Sequence, residues 1–199
     1  MCVLLPVSDL SSVNNLGWVY YILGDYVKAR ELLEHAFDVR MRLFGEVHAD
    51  TANSLNSMGF LHGALGDFDK AKEYGERVLA VRIKLFGEEH GDTASSINNM
   101  GLLYYIIGDY AKAGEYYERA LAVRMRLFGE EHADTATSLN NMGVLYGDFG
   151  DYTKAKEYNE RALAVYMRLF GEVHADTANS LHNLASIHGT LGDYVKARE

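Results

Sequence analysis

Cysteine and proline are almost missing: the 199 residues contain one of each, Cys2 and Pro6. A single thiol excludes an intrachain disulfide framework and suits a reducing compartment, so a cytoplasmic location is expected. With no proline beyond position 6, ring geometry breaks no later helix. No apolar run approaches the roughly 20 residues a membrane span needs, and no membrane partner is expected. The apolar start, Met1 to Val7, lacks a basic flank and does not read as a signal peptide. Positive charge is in deficit: 19 Lys and Arg against 28 Asp and Glu leave a net charge of −9. Phosphate backbones gain little from such a chain, and no nucleic-acid partner is expected.

A fixed stride is present instead. Gly-Asp-aromatic recurs at Gly24-Asp25-Tyr26, Gly66-Asp67-Phe68, Gly108-Asp109-Tyr110, Gly150-Asp151-Tyr152 and Gly192-Asp193-Tyr194, each step being 42 residues (66−24, 108−66, 150−108, 192−150). Such a period marks a repeat array in which each unit is one supersecondary element. A lead-in, 1–9, precedes four full repeats at 10–51, 52–93, 94–135 and 136–177 and a partial fifth at 178–199, read as one solenoid domain. Residues 94–135 and 136–177 differ at 11 of 42 positions, leaving 31 identical (42−11). Individual function is expected where repeats differ.

Within 136–177, Leu139, Met142, Tyr146 and Phe149 fall on one helical face, giving a helix A from Ala136 to Phe149. Asp134 and Thr135 are expected to cap its start, and Gly150 to end it. Asp151 then caps a longer helix B that runs to Phe170 and stops at Gly171. Glu157/Arg161, Glu115/Arg119 and Glu73/Arg77 sit at favourable i, i+4 spacing. Gly17, Gly59, Gly101 and Gly143 recur in mid-helix A, where glycine costs about 1 kcal/mol relative to alanine; close helix packing is the expected reason. Ala29, Ala71, Ala113, Ala155 and Ala197 suggest the same in helix B. The late helix-B cations, Arg40/Arg42, Arg82/Lys84, Arg124/Arg126 and Arg168, read as a solvated face complementing the helix dipole. The fold class expected is all-α, a solenoid of antiparallel helix pairs with about nine to ten helices and no strands.

Leu139-Asn-Asn-Met142-Gly143-x-x-Tyr146, Gly150-Asp-Tyr152, Ala155 and Ala162-Leu163 resemble the tetratricopeptide repeat. The usual repeat has 34 residues; here eight more (42−34) lengthen helix B. Long repeats with a Leu-Phe-Gly-Glu-x-His-x-Asp joint are similar to those of kinesin light chains and nephrocystin-like proteins, although Ala or Gly replaces the usual proline after histidine. The resemblance covers 10–199. It implies a right-handed superhelix whose helices A line a concave, peptide-binding surface.

Carried over by position, the groove candidates are Asn14, Asn15, Trp18 and Tyr21; Asn56 and Phe60; Asn98, Asn99 and Tyr105; Asn140 and Asn141; and Asn183. Asparagine offers both donors and an acceptor to a peptide backbone, and Trp and Tyr are enriched at binding hot spots. The asparagines could equally form an internal ladder. Helix A carries no Lys or Arg in any repeat, which argues against a clamp for carboxylate tails or acidic peptides. The aromatics fade along the groove, from Trp18 through Phe60, Leu102 and Val144 to Ser186.

His48, His90, His132 and His174 occur once per joint. Ligands for one metal ion must converge within about 2 Å of it, so a loop or capping role is expected and no metal or other cofactor. No phosphate loop and no nucleophile–base arrangement is recognisable, and an enzyme is not expected. Two functions follow: a non-catalytic scaffold that binds a peptide of a protein partner, or a segment of a structural array that associates head to tail with its own copies. Each repeat contacts only its neighbours, so residues 1–6 and 192–199 are expected to be the least protected.

Overall fold

The computed structural model describes residues 7–192, with side chains from Leu10 onward. The first six residues, Ala197 and nearly all of 192–199 lie outside the described residues, and with them the expectation about the protection of the termini. Among the described residues there are nine helices and no strands: α1 (Val7–Ile22), α2 (Tyr26–Phe44), α3 (Ala49–Ala64), α4 (Phe68–Phe86), α5 (Gly91–Ile107), α6 (Tyr110–Phe128), α7 (Ala133–Asp148), α8 (Tyr152–Phe170) and α9 (Ala175–Thr190). Odd-numbered helices are helix A and even-numbered ones helix B. The first begins at Val7, inside the segment read as a lead-in.

The chain divides into two compact units, up to Glu88 and from Glu89 onward. In the first, Ala29, Leu33, Met58 and Leu61 form one core cluster, and Ala52, Leu55, Val78 and Val81 another. In the second, Met100, Tyr104, Ala113, Tyr117, Met142 and Leu145 pack together, beside a cluster of Ala136, Leu139, Ala162, Val165 and Tyr166. Fully burying one such Leu or Met contributes about 1.5–3 kcal/mol.

Local chemistry sets the helix ends. Asp151 accepts from the backbone amide of Lys154 at 3.1 Å, and Asp25, Asp67 and Asp109 do the same one repeat apart. Gly150 and Gly171 have φ of 77° and 76°, a left-handed conformation that glycine adopts without steric cost.

The start of helix A differs from expectation. The cap is the joint histidine, not Asp134 or Thr135. His132 Nδ1 accepts from the Asp134 amide at 3.1 Å, and His48, His90 and His174 act alike. The imidazole also stacks on the preceding phenylalanine: Phe44–His48, Phe128–His132 and Phe170–His174 have centroids 4.3, 4.4 and 4.2 Å apart. The fully buried Thr135 instead donates its hydroxyl to the Gly129 carbonyl at 2.8 Å, tying the end of helix B to the start of helix A. The Phe-Gly-Glu-x-His-x-Asp-Thr joint is therefore a structural lock.

The helix-B cations also correct the sequence reading. Arg40, Arg82 and Arg124 are buried, at 5%, 8% and 4% exposure. Arg124 donates to the Asp134 carbonyl at 2.9 Å, to Ser138 Oγ at 2.8 Å and to Ser95 Oγ at 3.3 Å. Arg40 reaches Ser54 and Ser11, and Arg82 reaches Asn53. Tyr166 occupies the equivalent place in the next repeat, with its hydroxyl 3.0 Å from Thr137 Oγ1. Only the alternate cations, Arg42, Lys84, Arg126 and Arg168, lie on the solvated face. Arg77 and Arg161 form close ion pairs with Glu46 and Glu130 of the preceding repeat, at 2.8 and 2.7 Å; for Arg77 the i, i+4 partner Glu73 is 3.8 Å away.

Candidate peptide-binding face

Helix A places its asparagine pair one turn before the mid-helix glycine. In the second unit the pairs form a ladder between repeats. Asn141 Nδ2 donates to Asn98 Oδ1 at 3.0 Å, and Asn183 Nδ2 donates to Asn140 Oδ1 at 3.1 Å. Ser180 Oγ donates to the same Asn140 oxygen at 3.1 Å. The second asparagine of one repeat thus reaches back to the first of the previous one. Asn98 is buried, while Asn99, Asn140, Asn141 and Asn183 are half-buried.

In the first unit the corresponding rung is incomplete. Asn14 is buried and its Oδ1 has no partner. The residue that would reach it is Ser57, whose hydroxyl donates instead to the Asn53 carbonyl at 3.1 Å and accepts from Trp18 Nε1 at 2.9 Å. Asn15 is exposed and Asn56 half-buried. Trp18 packs edge-on against Tyr21 and Phe60, with centroids 4.9 and 5.5 Å apart, and Tyr21 lies 5.8 Å from Tyr26. Burial and the neighbouring Tyr26 raise the Tyr21 pKa.

The second unit has its own aromatic row. Tyr105 lies 5.5 Å from Tyr110, which meets Phe149 edge-on at 5.9 Å. The Tyr105 hydroxyl donates to Asp148 Oδ2 at 2.5 Å, and that bond, with burial added, pushes its pKa up to about 12. Tyr110, read from sequence only as a repeat marker, and Asp148 were not among the groove candidates. Asp148 stands where the preceding repeat has Ile106, so repeat-to-repeat difference is the signal that finds it.

The mid-helix glycines split. A Cβ on Gly101 would meet the Tyr117 ring at 2.6 Å and one on Gly17 the Leu33 side chain at 2.8 Å, as close packing predicts. Gly59 departs from that expectation: its nearest side-chain neighbour is Tyr74 at 3.5 Å, because Gly75 occupies the position held by Leu33 and Tyr117.

Among the described residues no group of histidine, cysteine and carboxylate side chains could hold a metal ion. None of their helices is long and apolar enough to cross a membrane.

Antiparallel helix pairs of constant length with a repeated histidine-capped joint define an α-helical repeat protein. The chain belongs to the tetratricopeptide repeat family, which matches residues 9–84, 50–125, 92–167 and 148–199. It is similar to BtubC (BKLC) from P. vanneervenii, with 28% identity over 96% of this chain and 76% of that one and a TM-score of 0.81. It also resembles the nearly identical TPR-like repeats attributed to a kinesin light chain of Podospora anserina, with 24% identity, coverage of 97% and 92%, and a TM-score of 0.77. RapI in its apo form shares the fold at 17% identity, with 95% of this chain and 66% of that one covered and a TM-score of 0.75. No curated protein matches the sequence. The fold is a TPR-like solenoid, one that ordinarily serves as a non-catalytic scaffold for protein interaction.

Proposed function

We propose that the helix-A faces bind an extended segment of a partner protein, in a cytoplasmic setting. The observation that carries this reading is the cluster of Trp18, Tyr21 and Phe60 beside the exposed Asn15. Aromatic rings give large contact area at small entropic cost, and an adjacent carboxamide can pair with both N–H and C=O of a peptide. Trp18 uses its N–H on Ser57, so its contribution is ring area rather than a hydrogen bond. The ladder spends Asn98 and Asn140 as acceptors and the amides of Asn141 and Asn183 as donors, whereas Asn15 stands exposed beside the aromatic cluster. Helix A is free of Lys and Arg, and the chain carries −9 overall, so neutral or basic segments are favoured. Peptide-display selection on the chain, followed by replacement of Trp18 and Phe60 with alanine, tests the proposal. Selected peptides should bind at least tenfold more weakly to the double variant. Unchanged affinity, or no selected peptide, contradicts it.

A second reading is head-to-tail self-association. Leu16 and Val19 of α1 and Leu23 just after it are apolar and exposed, at 46%, 49% and 71%, and Leu181 and Leu191 of the last repeat are 44% and 53% exposed. Head-to-tail contacts between different patches build filaments that lengthen with concentration where the rotation does not close a ring. Light scattering across concentration checks this: a rising mass supports the reading and a constant monomer removes it.

A further inference from the structure

Four of the 11 positions at which 136–177 departs from 94–135 converge on one cavity: Val144, Gly147, Asp148 and Asn159. The cavity holds about 330 Å³ among α7, the start of α8 and α9. The preceding repeat shows what occupies this space elsewhere. There Tyr117 lays its ring against Gly101, and Tyr105 stands where Gly147 now is. Repeat 4 has Asn159 in place of the first ring and no side chain in place of the second.

The lining is rich in unspent acceptors. Asn159 is fully buried; its Nδ2 donates to the Ala155 carbonyl at 2.9 Å, and its Oδ1 has no partner. A buried carbonyl without a donor is unfavourable unless something fills the cavity and supplies one. Asn183 spends its amide on Asn140, and Thr190 spends its hydroxyl proton on the Ser186 carbonyl at 2.9 Å. Each leaves oxygen lone pairs. Asp148 brings a carboxylate, one oxygen of which already holds Tyr105. No lysine or arginine lines the cavity. The volume lies at the lower end of small-molecule pockets, about 300–1,000 Å³, and suits one long side chain.

We infer that this cavity is an arginine-binding subsite, in which a guanidinium from the bound peptide donates to Asn159 Oδ1 and pairs with Asp148. The inference rests on the reading of the helix-A face as a peptide site. Guanidinium matches the lining better than ammonium does, because its donors form a rigid planar fork and reach separated acceptors at once.

The test is an NMR titration of the 15N-labelled chain with N-acetylarginine amide and with its uncharged counterpart N-acetylcitrulline amide. The arginine probe should shift the side-chain amide signals of Asn159 and Asn183, and citrulline should do so at least tenfold more weakly. Asp148→Asn, a change at an exposed site, should weaken the arginine effect about tenfold. Asn159→Tyr restores the pairing of the preceding repeat and should abolish the effect while thermal stability is kept. Equal response to both probes, shifts confined to other acidic surfaces, or insensitivity to both variants overturns the subsite and leaves water as the occupant. A selected peptide that binds Asn159→Tyr as well as the parent also overturns the subsite and spares the peptide face. Arginine shifts at Asn159 with no selectable peptide retain the guanidinium site and overturn the peptide reading.

Discussion

Asn141 donates its side-chain amide to Asn98 Oδ1 at 3.0 Å, and because Asn98 is buried the bond joins two repeats inside the protein. Removing the donor strands a buried acceptor, which costs about 1–3 kcal/mol. Asn141→Ala should therefore lower unfolding free energy by that amount in urea titrations. Asn15→Ala, at an exposed position, should change stability by less than about 0.5 kcal/mol and act on peptide binding instead.

The first unit offers the converse experiment. Asn14 Oδ1 is buried without a donor because Ser57 stands at the ladder position. Asparagine at 57 could donate to Asn14 while its oxygen accepts from Trp18. Ser57→Asn is expected to raise stability by about 0.5–1.5 kcal/mol, read as a higher urea midpoint with unchanged slope.

Two glycines at equivalent positions should respond with opposite sign. Gly101→Ala forces a Cβ into the Tyr117 ring, and overpacking of this kind costs about 1–3 kcal/mol. Gly59→Ala meets no such ring and removes backbone freedom from the unfolded chain, a gain of about 0.4–1 kcal/mol. Thermal unfolding of the two variants checks the contrast.

Arg124 is a buried cation whose three observed partners are neutral oxygens, and burial lowers its pKa. Hydrogen bonds to a charged group contribute about 1.5–3 kcal/mol each, so Arg124→Ala should be strongly destabilising. Arg124→Tyr with Ser95→Thr copies the Tyr166–Thr137 pair of the next repeat and should recover most of the loss. Chemical denaturation of both variants decides the matter.

Tyr105 supplies a pH signature. Its pKa is raised to about 12, chiefly by the hydrogen bond to Asp148, so the neutral phenol is the favoured form. The stabilisation is whole below the ordinary tyrosine value near 10 and is lost as pH rises through about 12. Spectrophotometric titration should show a late-ionising group of phenols that includes Tyr105 and the buried Tyr117, and Asp148→Asn should move one of them, Tyr105, back toward 10.

The repeat made much of this legible in advance. Gly150 and Asp151 mark a helix end and a helix start by local chemistry alone, and their 42-residue recurrence sets the register of every pair. What was not legible depends on the neighbouring repeat. Arg124 looks like a surface cation until Ser95 and Ser138 surround it. His132 and Asp134 are both plausible caps from sequence, and the stack on Phe128 accompanies the choice of histidine. Asn159 reads as one more polar residue on helix B, and only the stacking of α7 and α9 turns it into the floor of a cavity.

Recognition is proposed to lie on the helix-A faces. The most direct test is an NMR footprint of a display-selected peptide on the intact chain. Shifts are expected at Asn15, Trp18, Tyr21, Phe60, Asn141 and Asn183, with the exposed helix-B positions Arg42, Arg126 and Arg168 unmoved. Shifts along helix B with helix A silent would contradict it.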